Sequence, residues 1–221
     1  MPIGTPKIPF PIPEEKEPGW GEISQELFLR RIFFLFGNMN AELANKVASS
    51  IIYFNYENPT LDQLVFINSR GGKLSIGLGV YQAIRGSKAN VTTIGVGIAA
   101  GMGCLALVGG NTRIALPGLL VKMREPSHSP FFNKQAIDLM NELDLMMAMY
   151  NIILTAFSEN TGQPIEIIKE DMQNNTLMTA TKAYAYGIVD QIGCDMREIM
   201  RSHSFDEEIE KSEFIILMNK M

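Results

Sequence analysis

The stretch from Gln63 to Gly110 limits the fold more than any other part of the chain, because it alternates strand-like and helix-like patterns. "QLVFIN" is a short, continuously apolar run suited to a buried strand, "SRGG" reads as a turn, and "LSIGLGVYQAIRG" has helical spacing. "NVTTIGVGI" repeats the strand and "AAGMGCLALVGG" continues as a glycine-rich helix. Strands separated by helices in this rhythm pair in parallel through right-handed crossovers, so the expected class is α/β.

The flanking segments extend the same plan. Prolines at positions 2, 6, 9, 11, 13 and 18 rule out a helix and predict an extended arm over residues 1–22. "ISQELFLRRIFFLFG" then reads as a helix or turn leading into a strand around Arg31 to Phe36, and "NAELANKVASSIIYFN" as a helix with Leu43, Val47 and Ile51 on one face. "TRIALPGLLVKM" reads as two strands turned at Pro117-Gly118.

The longest helix is expected from Asn133 to Ser158, with Met140, Leu143, Met147, Tyr150, Leu154 and Phe157 forming one stripe. Core packing is the simplest use of that stripe, and a partner surface is the other. "TGQPIEIIKEDM" predicts a short helix and "ATKAYAYGIVDQIG" a last helix running into a strand. A main domain is expected over residues 23–193, followed by a charged extension over 194–221 that turns apolar at its end.

Composition excludes several classes. The 221 residues, 46% of them apolar, suffice for a full hydrophobic core. With 19 basic and 24 acidic side chains the net charge is −5, and no basic run exceeds two residues, which argues against nucleic acid as a partner. Cys104 and Cys194 allow one bridge at most, and with His128 and His203 they show no metal-ligand spacing. The first 22 residues have neither secretory nor transit-peptide character, and no apolar run reaches the roughly 18 residues of a membrane span.

Small residues from Gly97 to Gly103, "GIAAGMG", crowd a strand-to-helix turn of the kind that carries a nucleophilic serine, yet Gly101 stands where the hydroxyl belongs. Together "FINSRGG" (Phe66 to Gly72), "GIAAGMG", "TGQPIEIIKEDM" and "LMTATKAYAYGIVD" (Leu177 to Asp190) resemble ClpP, the proteolytic subunit family of the ATP-dependent Clp protease. The opening "MPIGTPKIPF" is similar to the plastid-encoded members in particular, and the resemblance runs from Met1 to about Ile192.

The resemblance implies a crotonase-like α/β fold of repeated β-β-α units with a protruding "handle" helix. It implies heptameric rings of ClpP-family subunits stacked as a tetradecamer, enclosing a chamber for unfolded protein substrates. An Hsp100 AAA+ chaperone supplies the unfolding and uses the ATP, so no cofactor is expected on this chain. Neither nucleic acid nor membrane is an expected partner, and the implied location is the chloroplast stroma, with a plastid-encoded gene.

The family's triad uses a serine in A-A-S-M-G, a histidine in H-Q-P and an aspartate in an R-D pair before F-M-S-A. By position these fall on Gly101, on Arg124 in "KMREP" and on Asn175 in "MQNNTLM", with Asn174 beside it as the gapped alternative. Glycine offers no nucleophile, a guanidinium cannot act as a base, and an amide cannot balance an imidazolium. Gly72 and Met102 match the family's oxyanion-hole donors, while Arg70 replaces the usual proline before the glycines. Leu64 and Phe66 match positions lining the family's chaperone-docking cleft, with sheet core as the other use. The resulting expectation is a serine protease homologue that is itself a pseudoenzyme.

Two other readings fit some of the residues. Cys104, one turn past Gly101, is a candidate nucleophile with His128 as base. A crotonase-like binder of acyl-CoA would use the oxyanion hole without any serine.

Overall fold

The computed structural model describes residues 7–10, 19–126 and 136–193. The chain divides into two compact units, residues 1–32 with 195–221 and residues 33–194. In the smaller unit, β1 (Lys7–Phe10) pairs antiparallel with β2 (Gly19–Glu22), and α1 (Ile23–Leu29) follows. The proline-rich arm is thus extended where described, as expected, but part of it forms a strand pair.

The larger unit is α/β, as the alternating pattern predicts. Its elements in chain order are β3 (Ile32–Met39, entering from the smaller unit), α2 (Ala41–Glu57), β4 (Gln63–Gly72), α3 (Leu74–Arg85), β5 (Val91–Ala100) and α4 (Met102–Val108). They continue with β6 (Thr112–Ala115), β7 (Leu120–Lys122), α5 (Ala136–Thr161), α6 (Ile165–Gln173), β8 (Leu177–Thr179), α7 (Ala180–Tyr186) and β9 (Gln191–Ile192). One sheet runs β3-β4-β5-β6-β9, and β7 joins β5 to β8. β4/β5, β5/β6, β5/β7 and β6/β9 are parallel; β7/β8 is antiparallel.

Capping and apolar spacing agree at α2, whereas α3 and α4 start without a side-chain cap and rest on apolar burial. Asn40 caps α2 by accepting from the Leu43 amide at 2.8 Å, and Ala44, Val47, Ile51 and Phe54 face inward at helical spacing. In α3 the buried row is Leu74, Leu78, Tyr81 and Ile84. All seven residues of α4 are buried, which suits a helix that is apolar on every side. Each large side chain taken out of water here contributes about 1.5–3 kcal/mol.

Two expectations about β4 to β7 are corrected. "SRGG" is not a turn: β4 continues through it after a register shift between Ile67 and Ser69, where Asn68 Oδ1 accepts from the Ile98 amide at 3.4 Å. The interrupted ladder imitates a loop in sequence because Ser, Arg and Gly are not strand formers. Nor do β6 and β7 form a hairpin across Pro117-Gly118. Both lie on β5, β6 beside Thr92 to Gly95 and β7 beside Ile98 to Ala100.

The stripe on α5 also divides. Leu154 and Phe157 are buried, whereas Met140, Leu143 and Met147 are exposed, so core packing accounts for only the C-terminal part. The expected start at Asn133 lies outside the described residues.

Candidate functional site

β5 ends at Ala100 and α4 begins at Met102, leaving Gly101 alone to turn the chain at φ 51°, ψ −116°. Glycine adopts this backbone freely and other residues only under strain. The Gly101 amide donates to the Lys122 carbonyl at 3.0 Å, tying the turn to β7. A Cβ built on Gly101 meets nothing nearer than the Arg70 carbonyl oxygen at 3.8 Å, so the turn has room for a side chain.

Around this turn the ends of β4 and α4 approach at backbone distance. A Cβ on Gly71 would lie 2.8 Å from the Met102 nitrogen, and one on Gly72 only 2.0 Å from the Met39 carbonyl oxygen. Gly72 is therefore demanded by packing whatever its amide does. Gly72, Gly101, Met102 and Arg124 line one cavity of about 420 Å³, together with Arg70 and Lys73.

The register of β7 positions the remaining candidates. Lys122 pairs with Ala100 on one side and Leu177 on the other, and the Met123 amide donates to the Thr176 carbonyl at 3.0 Å. Continuing that register sets Arg124 across from Asn175. Asn175 is exposed at φ 52°, its side-chain amide donates to the Gln173 carbonyl at 3.3 Å, and it does not line the cavity.

The family model described as Clp protease matches residues 14–195. "ATP-dependent Clp protease proteolytic subunit" of Staurastrum punctulatum is 37% identical over 197 residues, covering 88% of this chain and 98% of that protein. "Chloroplastic ATP-dependent Clp protease proteolytic subunit 1" of Arabidopsis thaliana is 37% identical over 194 residues, covering 87% and 98%. The chain belongs to the Clp protease family. The resemblance drawn from "FINSRGG" and "GIAAGMG" is borne out at that level.

In this Clp protease chain Gly101 and Arg124 meet at one cavity, whereas Asn175 is not among its lining residues. A carboxylate does lie nearby: Asp171 accepts from the Thr176 hydroxyl at 2.9 Å and from the Tyr186 hydroxyl at 2.7 Å. Burial first, and then the Asp171 carboxylate, push the Tyr186 phenol well above its ordinary range. Asp171 is thereby committed to the α6–β8 turn. Sequence reasoning passed over it because "KEDM" reads as an ordinary polar helix face.

Cys104 does not offer an alternative nucleophile. It is fully buried, and burial pushes its thiol up to about 12, so the reactive thiolate is absent near neutrality. Its proposed base, His128, lies outside the described residues, as do Cys194, His203 and residues 194–221.

Leu64 and Phe66 are both buried, at 1% and 6% exposure. The aromatic surface beside them comes from β3 instead. Phe34 stacks on Phe66 with ring centroids 5.5 Å apart, Phe36 meets Phe34 edge-on at 5.4 Å, and both β3 rings are exposed. The signal for them was the run "RRIFFLFG", whose aromatics alternate with inward Phe33 and Leu35.

Proposed function

We propose that this chain is a non-catalytic subunit of a plastid Clp protease core, structural in mixed rings whose hydrolysis is done by other ClpP-family subunits. The observation that carries the reading is Gly101 at the strand-to-helix turn: the backbone geometry that presents a nucleophile is kept and the nucleophile is missing. Arg124 beside it is a permanent cation and accepts no proton, and Asn175 bears no charge. With the hydroxyl gone, a base has nothing to activate. An oxyanion hole and binding alone leave roughly 10³ to 10⁴ over water in triad enzymes, which is negligible for peptide bonds.

The exposed Met140, Leu143 and Met147 on α5 fit the handle that joins rings, and Phe34 with Phe36 fits an apolar surface for an Hsp100 chaperone. ATP is then consumed by that chaperone, and the stroma is the place of work. Native mass spectrometry of the chain co-expressed with an intact-triad plastid paralogue tests the assembly. Mixed rings are expected, and absence of this chain from every ring would remove the structural role.

A further inference from the structure

Three cations meet at the cavity where the family keeps its triad. Arg70 comes from the end of β4, Lys73 is the residue before α3, and Arg124 follows β7; all three are exposed and line the same space of about 420 Å³. One carboxylate, Glu125, shares the lining, and it accepts from the Tyr150 hydroxyl at 3.4 Å. Among the described residues none of the three cations has a side-chain hydrogen-bond or ion-pair partner. The local excess is therefore positive in a chain whose net charge is −5.

That arrangement has a chemical sense at a vacated hydrolase site. Hydrolysis of an amide leaves a carboxylate, and a carboxylate at neutral pH is an anion that guanidinium forks bind well. Arg124 supplies fixed positive charge where a protease has a neutral base, and Gly101 leaves its nearest neighbour 3.8 Å from a Cβ position, so an anionic oxygen is not excluded by a side chain. We infer that the cavity formed by Arg70, Lys73 and Arg124 is a binding site for peptide carboxylates, above all the C-terminal carboxylate of a cleaved peptide. The biological source of that peptide, cleavage by neighbouring subunits, rests on the function proposed above. Occupation of the site would hold product in the chamber without any chemistry by this chain.

The test uses the isolated full-length chain, so that it does not depend on ring assembly. Binding of a fluorescein-labelled alanine-rich tripeptide with a free C-terminus is compared by anisotropy with that of its C-terminal amide, and with an amidated peptide carrying one aspartate. The free acid is expected to bind at least tenfold more tightly than the amide. Arg124→Gln is expected to shrink the difference, Arg124→Lys to restore part of it, and neither substitution at this exposed position is expected to change the circular dichroism spectrum. Equal gain from the aspartate peptide supports the site with acidic side chains as a second source. Equal affinity for acid and amide, or an undiminished preference in a variant carrying Arg70→Gln, Lys73→Gln and Arg124→Gln, overturns the proposal. If these peptides fail while mixed rings still form, only the carboxylate site is lost.

Discussion

At Gly101, φ 51° and ψ −116° make glycine the comfortable occupant of the strand-to-helix turn, where another residue would be strained. Gly101→Ser finds space, since nothing lies nearer than 3.8 Å to the new Cβ, and meets backbone strain of roughly 1–3 kcal/mol. The variant is expected to fold with a lower urea midpoint and to take no fluorophosphonate, because Arg124 cannot receive the serine proton. An adduct on the new serine would contradict that assignment of Arg124. Cys104 makes a second check. Buried, with its thiol pushed up to about 12, it should resist alkylation in the native chain and react only on unfolding, followed by mass mapping of its peptide. Rapid native labelling would show that the thiol is reachable after all.

The elements were legible in the sequence wherever apolar period and length agreed. β4, α3 and β5 follow from "QLVFIN", "LSIGLGVYQAIRG" and "NVTTIGVGI" because each buries the residues its own period selects. β8 was not read, since three residues carry too little pattern, and the strand character of "SRGG" depends on β5 and on Asn68, thirty positions from Ile98. The positions of Gly72, Gly101, Met102 and Arg124 were legible, yet the charge around them was not: Arg70 near the end of β4 and Lys73 just before α3 join Arg124 at one cavity only in the fold. One link between elements is testable by pH. Arg113 on β6 donates to the Asn160 and Gly187 carbonyls at 2.8 Å and through Nε to Asp190 at 2.9 Å, joining α5, α7 and the approach to β9. Burial alone lifts the Asp190 carboxyl, but the hydrogen bonds and charge of Arg113 outweigh it and hold the group below the usual carboxylate range. A folded-state value below the unfolded one stabilises above the unfolded pKa and is lost as pH falls through the folded pKa. The gap in urea midpoint between wild type and Asp190→Asn should thus be full at pH 7 and close progressively below about pH 4. A gap unchanged to pH 3 would mean that the Arg113–Asp190 charge pair contributes nothing.

For the whole molecule, the exposed part of α5 separates stability from assembly. Met140 and Met147 are 66% and 58% exposed, while Ile153 and Phe157 farther along the helix are buried. Introducing Met140→Glu with Met147→Glu should leave the melting temperature of the isolated chain within about 2 °C, as surface substitutions generally do. If α5 joins rings as proposed, it should also lower recovery of double rings from co-expression, read by native mass spectrometry, because charge would replace the exposed apolar surface of Met140 and Met147. Unchanged double rings would remove this face from the assembly. The central claim is that the chain belongs in the proteolytic core without cutting peptide bonds. Fluorophosphonate labelling of purified mixed rings, resolved subunit by subunit by intact mass, tests it most directly. Label on the paralogue alone is the expected result, and label on this chain would contradict it.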